Sequence, residues 1–235
     1  MKLVLAVLIL LCNPGLLHAQ EHHLWSQLLQ KHVDEFGRVN YIGLQKERNT
    51  LNQYLEQLRK THPENMPKKA SMAFWINAYN AFTVQLILDH YPVNSIKDIQ
   101  IKGKNAWEIP FIQIHGKTYT LDQIQKEKLG AFKDARVHFA INCAAKSCPP
   151  LANTAFEAIN LESSLEARTQ LFLNNPKYNT ISDERLDLSM IFVWYAAEFD
   201  QQAGSSLDFI RRYVPIKLKT GIKITFLEYD WALNN

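Results

Sequence analysis

The chain has 235 residues, with 26 Lys+Arg against 23 Asp+Glu, 47% apolar residues and 11% aromatics. Disordered chains are poorer in apolar residues and more highly charged, and collagen-like or low-complexity chains need far more than 8 Gly and 9 Pro, so an ordinary globular protein remains. A net charge of +3 leaves no electrostatic footprint for nucleic acid or an anionic membrane surface, and at this length one domain is expected rather than two.

Met1-Lys2 precedes an apolar run over 3–11, followed by Cys12-Asn13-Pro14-Gly15-Leu16-Leu17-His18-Ala19. A short basic end, an apolar core and a small residue at the exit describe a secretory signal peptide over 1–19. The run is shorter than the roughly 20 residues that span a bilayer, so no stable membrane insertion is expected once the signal is cut. Residues 20–235 then form one mature domain, exported to the periplasm or secreted. Cys12 leaves with the signal, and Cys143 and Cys148 remain. An even pair in an oxidising compartment points first to a disulfide. The chain contains no CxxC, so neither a thioredoxin-type centre nor a zinc ribbon is indicated.

Along the mature chain, 20–32 has the leucine spacing of an amphipathic helix, Asp34 to Arg38 is a turn, and 44–60 is again helical by period. Residues 67–90 form a long apolar helix that ends before Tyr91-Pro92. The period then changes. Residues 111–114 and 117–121 flank a His115-Gly116 turn as a hairpin, and 121–129 is a short helix. Residues 136–142 are apolar enough to be a strand inside a sheet. Beyond the Cys-Pro loop come a helix over 155–174, a hairpin of 178–181 with 185–188, helices over 189–199 and 205–213, and a last strand over 223–229. Helices and hairpins mix without βαβ alternation. The expectation is α+β, a single domain of several helices packed around a small, mainly antiparallel sheet with hairpins.

Chemistry concentrates in His138-Phe139-Ala140-Ile141-Asn142-Cys143-Ala144-Ala145-Lys146-Ser147-Cys148-Pro149-Pro150. Strand alternation would set His138, Ala140 and Asn142 on one face, with Cys143 on the other. Three readings stand side by side. Cys143 and Cys148 form a disulfide that pins the loop. Alternatively, Cys148 is the nucleophile of a thiol-dependent hydrolase or transferase, with His138 as its base and Lys146 lowering the thiol pKa. The third reading is a His–Cys–Cys zinc site, for which no fourth ligand is evident. Pro149 and Pro150 weigh against the second, because neither offers an N–H to an oxyanion.

Asn77 and Asn80 share a face of the long helix, in a segment so apolar that both carboxamides will be buried and must be paired. Either they tie the helix to loop backbone, or one of them, with Asn142, supports a catalytic centre. Trp107-Glu108 sets a carboxyl beside an indole, an arrangement that can raise its pKa, although surface placement is the plainer expectation. His62, His90 and His115 flank turns and call for nothing beyond solvent. Walker, GxGxxG, GxSxG and HExxH motifs are all missing from the sequence, so no cofactor and no metal is expected.

Phe74-Trp75-Ile76-Asn77-Ala78-Tyr79-Asn80, His138-Phe139-Ala140, Cys143 and Ser147-Cys148-Pro149-Pro150-Leu151 together resemble the domain-of-unknown-function 547 family. The likeness extends to Gly37-Arg38-Val39-Asn40-Tyr41, to Tyr91-Pro92-Val93-Asn94-Ser95-Ile96 and to Tyr229-Asp230-Trp231-Ala232-Leu233-Asn234. It therefore implies one family domain across the mature chain, and it brings no biochemical activity with it. Relatives often carry a Leu-Asp-x-Ile-Glu-His pattern after the first hairpin. Here Leu121-Asp122-Gln123-Ile124 is followed by Gln125-Lys126, so any base duty of that histidine would fall to His138. The rival to a thiol enzyme is a non-catalytic binding or scaffold module with a Cys143–Cys148 disulfide and an unknown partner.

Overall fold

A computed structural model describes residues 22–215, 217, 219 and 221–235. Segment 1–19, expected to be a signal peptide, lies outside the described residues. The first helices are α1 (His23–His32), α2 (Tyr41–Lys46), α3 (Arg48–Lys60) and α4 (Lys68–His90). A glutamate at position 47 splits the expected 44–60 helix in two, its N–H donating back to Gln45 and Leu44 carbonyls. Helix α4 is buried on all sides, including Asn77, Asn80 and Thr83. A helix with no polar face belongs at the centre of a core, and α2 and α3 pack against it.

Next come β1 (Gln100–Ile101), β2 (Lys104–Asn105), β3 (Ile112–Ile114) and β4 (Lys117–Tyr119), two antiparallel hairpins. Helix α5 starts at Leu121–Gln123 behind a Thr120–Gln123 capping box and widens into a π-helical turn over Ile124–Leu129. Wide turns of this kind re-aim side chains and recur at functional sites. Helix α6 (Leu161–Leu173) leads to β5 (Thr180–Ile181) and β6 (Arg185–Leu188). The short helices α7 (Ile191–Trp194), α8 (Ala196–Ala203) and α9 (Ser206–Arg211) precede β7 (Lys223–Phe226).

The architecture is α+β. Among the described residues the β component is three separate small sheets rather than one, and β7 pairs parallel to β6. Besides the split at Glu47, the helix expected over 189–199 breaks at Tyr195 into α7 and α8, the last strand stops at Phe226, and two further elements differ more deeply. Residues 136–142 are no strand: Ala135–Phe139 form a 3₁₀ turn, after which the chain runs irregularly to Asn160. The helix expected from 155 begins only at Leu161, because Phe156 is held by Asn77 and cannot enter a helical ladder.

Two hydrophobic clusters result. The larger surrounds α4. The smaller is aromatic, built from Phe139, Phe172, Phe192, Phe199 and Phe209. The 3₁₀ turn joins them, since Val137 and Ala140 enter the first while Ala135 and Phe139 enter the second.

Gly37 is the tightest point between the N-terminal turn and the Cys-Pro loop. Its φ is +79°, and a Cβ there would lie 2.7 Å from Pro150 Cα and 2.8 Å from the Leu151 nitrogen. Gly37→Ala therefore combines left-handed strain with a backbone clash. A loss of about 2 kcal/mol or more is expected in a denaturant titration.

Candidate functional site

Residues 140–156 are largely buried yet lie outside helices and sheets, so their polar backbone groups need partners from elsewhere. The asparagines supply many of them. Asn80 donates to the Ala140 carbonyl at 3.0 Å and accepts from the Asn142 N–H at 2.8 Å. Asn77 treats Phe156 in the same way, donating at 2.8 Å and accepting at 3.0 Å. Asn142 accepts from the Ala144 N–H and donates to the Pro149 carbonyl, both at 2.8 Å, while Asn234 donates to its oxygen. Arg168 donates to the Pro150 carbonyl, and desolvation lowers its pKa to about 10. Both ends of all three sequence-predicted amides are engaged by protein groups, and none of the three lines the cleft beside the cysteines.

Cys143 and Cys148 are joined by a disulfide, and the Cys143 N–H donates to Cys148 Sγ at 2.9 Å. The bridge forms part of the wall of a cleft of about 460 Å³. Six aromatic side chains line the same cleft: Tyr79, Trp107, Trp194, Tyr195, Tyr229 and Trp231. Trp194, Tyr229 and Trp231 form a continuous set, with ring centroids 4.6 to 5.7 Å apart, and Trp107 meets Trp231 edge-on at 5.7 Å. Trp194 is 43% exposed, an unusual position for so large an apolar ring.

His138 also lines the cleft and is buried. It does not lie on a strand face with Asn142, since the 3₁₀ turn redirects it toward α8. Its Nε2 lies 2.7 Å from Glu198 Oε2, and its ring stacks on Tyr195 at 3.8 Å. That hydrogen bond holds the Glu198 carboxyl below its ordinary range, against partial desolvation. The ionised carboxylate accepts from the Nε2 proton, while buried Nδ1 has no hydrogen-bond partner.

The departure at 125–126 falls in the same cleft. Gln125 donates to Tyr195 Oη at 2.6 Å, and Lys126 pairs with Asp122 at 2.7 Å. Burial above all pushes the Tyr79, Tyr195 and Tyr229 phenols up, leaving them neutral hydroxyls. The cleft is therefore aromatic and hydrogen-bonding, and its ionised groups are paired.

The sequence singled out His138, Cys143 and Cys148, and the structure gathers them at one cleft. Glu198, Tyr195, Trp194 and Trp231 were not foreseen as site residues. Trp107 was noted only for its neighbour Glu108, which is exposed and accepts from the Asn105 N–H. The signals toward the rest of the cleft were the pair Gln125-Lys126 and the motifs that contain Tyr79, Tyr229 and Trp231. Residues 63–173 match the model of a family described as "Protein of unknown function, DUF547". No curated protein and no solved structure matches the chain.

Two outcomes follow. Asn80→Ala orphans a buried carbonyl and a buried N–H, so unfolding free energy should fall by about 2–5 kcal/mol in a denaturant titration. Glu198→Gln addresses pH. A depressed carboxyl stabilises the fold above its unfolded value, near 4.5, and that stability is lost as pH falls through the lower folded value. The stability gap between parent and Glu198→Gln should thus be present at neutral pH and shrink below pH 4.5, as read by thermal melts across pH.

Proposed function

We propose, for a chain that belongs through residues 63–173 to the DUF547 family, that this is an exported binding module. Its aromatic cleft takes a small neutral ligand with flat apolar faces and hydrogen-bonding edges, the chemistry of a sugar ring. The observation that carries this reading is the cleft itself: about 460 Å³, within the range of small-molecule sites, six aromatic walls, and charges already paired inside the protein. Aromatic faces take the apolar side of such a ligand, while Tyr hydroxyls and Gln125 take its polar edge. The Cys143–Cys148 bridge then fixes one wall, in keeping with an oxidising compartment outside the cytoplasm.

One observation favours a second reading. His138 Nδ1 is unpartnered, while Glu198 orients the ring through Nε2, the disposition of a general base. If a thiol reductant opens the bridge, Cys148 becomes available as the nucleophile of a hydrolase or transferase. His138 would be its base, with Asn77, Asn80 and Asn142 as positioning residues.

A panel of neutral mono- and oligosaccharides, followed by intrinsic tryptophan fluorescence, separates the two. Binding that weakens about tenfold or more in Trp194→Ala, while the oxidised protein resists alkylation, supports the module. Saturable binding indifferent to Trp194→Ala overturns it. Fast alkylation of Cys148 at neutral pH after mild reduction, slowed in His138→Ala, supports the second reading.

A further inference from the structure

Two exposed turns, far from the cleft in sequence, bring three ligand-type side chains to one point. His62 follows the end of α3, Glu64 lies in the 3₁₀ turn Pro63–Asn65, and His115 stands at the tip of the β3–β4 hairpin. The tip is held in place, since the His115 N–H donates to the Arg59 carbonyl at 2.8 Å. His115 and Gly116 adopt φ of 46° and 71°, the left-handed pair of a two-residue hairpin turn. Histidine is among the side chains better tolerated there.

Glu64 Oε1 lies 3.5 Å from His62 Nδ1 and 3.7 Å from His115 Nε2, and the two imidazole centroids are 3.4 Å apart. One ligand atom from each residue falls within 4.8 Å of the others. These separations are too long for hydrogen bonds. They approach the edge of about 3.3–3.6 Å that follows from ligands about 2.0–2.2 Å from a tetrahedral zinc ion. We propose that His62, Glu64 and His115 bind a divalent transition cation of the zinc class, tying the hairpin tip to the end of α3 and leaving a fourth position for water.

The donor set agrees with that choice. Two imidazoles and one carboxylate favour zinc-like ions over magnesium or calcium, which prefer all-oxygen shells. All three side chains are about half-exposed, so an ion enters without a conformational gate. The cluster shares no residue with the aromatic cleft, so this inference stands apart from the ligand reading.

The test uses the full chain freed of metal by a chelator, titrated with Zn²⁺ by calorimetry and with Co²⁺ by visible absorption. Binding is expected in the parent. His62→Ala/His115→Ala should weaken it by at least about tenfold, and Glu64→Gln should weaken it less. The metal-free melting temperature of Glu64→Gln should match the parent's, while that of the double variant should fall slightly, since Ala at position 115 is strained at a φ of 46°. If the double variant fails to fold, Glu64→Gln alone decides, and unchanged affinity in it overturns the proposal. No binding by the parent, or undiminished binding by the folded double variant, overturns it as well.

Discussion

Burying an irregular backbone demands a partner for every N–H and C=O, and residues 140–156 impose that demand on the rest of the molecule. The long central helix meets much of it. Helix α4 carries Asn77 and Asn80 one turn apart, and each clamps both polar groups of a short backbone stretch that no ladder serves. Asn142, inside the stretch, repeats the device on its own loop. Ser26, Arg168 and Asn234 supply further side-chain partners to the same region. Leaving any of these groups unpaired would cost about 1–3 kcal/mol, so the network behaves as a unit and fixes where the disulfide and His138 stand.

That arrangement explains what was legible in the residues and what was not. Two asparagines in an apolar helix announce buried amides, and their need for partners follows from chemistry alone. Which backbone they hold does not, because Phe156 and Ala140 lie 60 or more residues away. The cysteine pair and His138 were conspicuous for the same reason, being polar or reactive groups in an apolar run. The strand expected over 136–142 failed for a physical reason. Val137 and Phe139 would share one face of a strand, but they are buried in two different clusters, because a 3₁₀ turn rotates by about 120° per residue and sends them to different sides. Short apolar runs do not distinguish these cases.

The cleft was the least legible part. Its aromatic residues come from α4, the segment before β3, α7 and the C-terminal segment, and no local spacing relates Trp107, Trp194 and Trp231. Glu198 gives no pattern either, since its meaning depends on a histidine 60 residues earlier. What gathers these groups is the junction between the two hydrophobic clusters, with the 3₁₀ turn as floor. Pairing of Lys126 with Asp122 then removes net charge from a space whose walls are mostly rings.

One wall of the cleft has a distinct physical character. Tyr229 and Trp231 belong to a segment held by exchanges with distant chain: Lys146 and Ser147 donate to Ala232 and Asp230, Asp230 donates back to Ser147, and Tyr41 reaches Asn234. Those contacts close loops of 83 and 193 residues. Long closures carry the larger entropic cost and form after local contacts, so both clusters can condense before this strap docks. In the native protein the strap is buried at Leu233 and Asn234, which exchange backbone hydrogen bonds with Asn94, Ala144 and Val39, so this wall of the cleft is tied into the same network that holds the Cys-Pro loop.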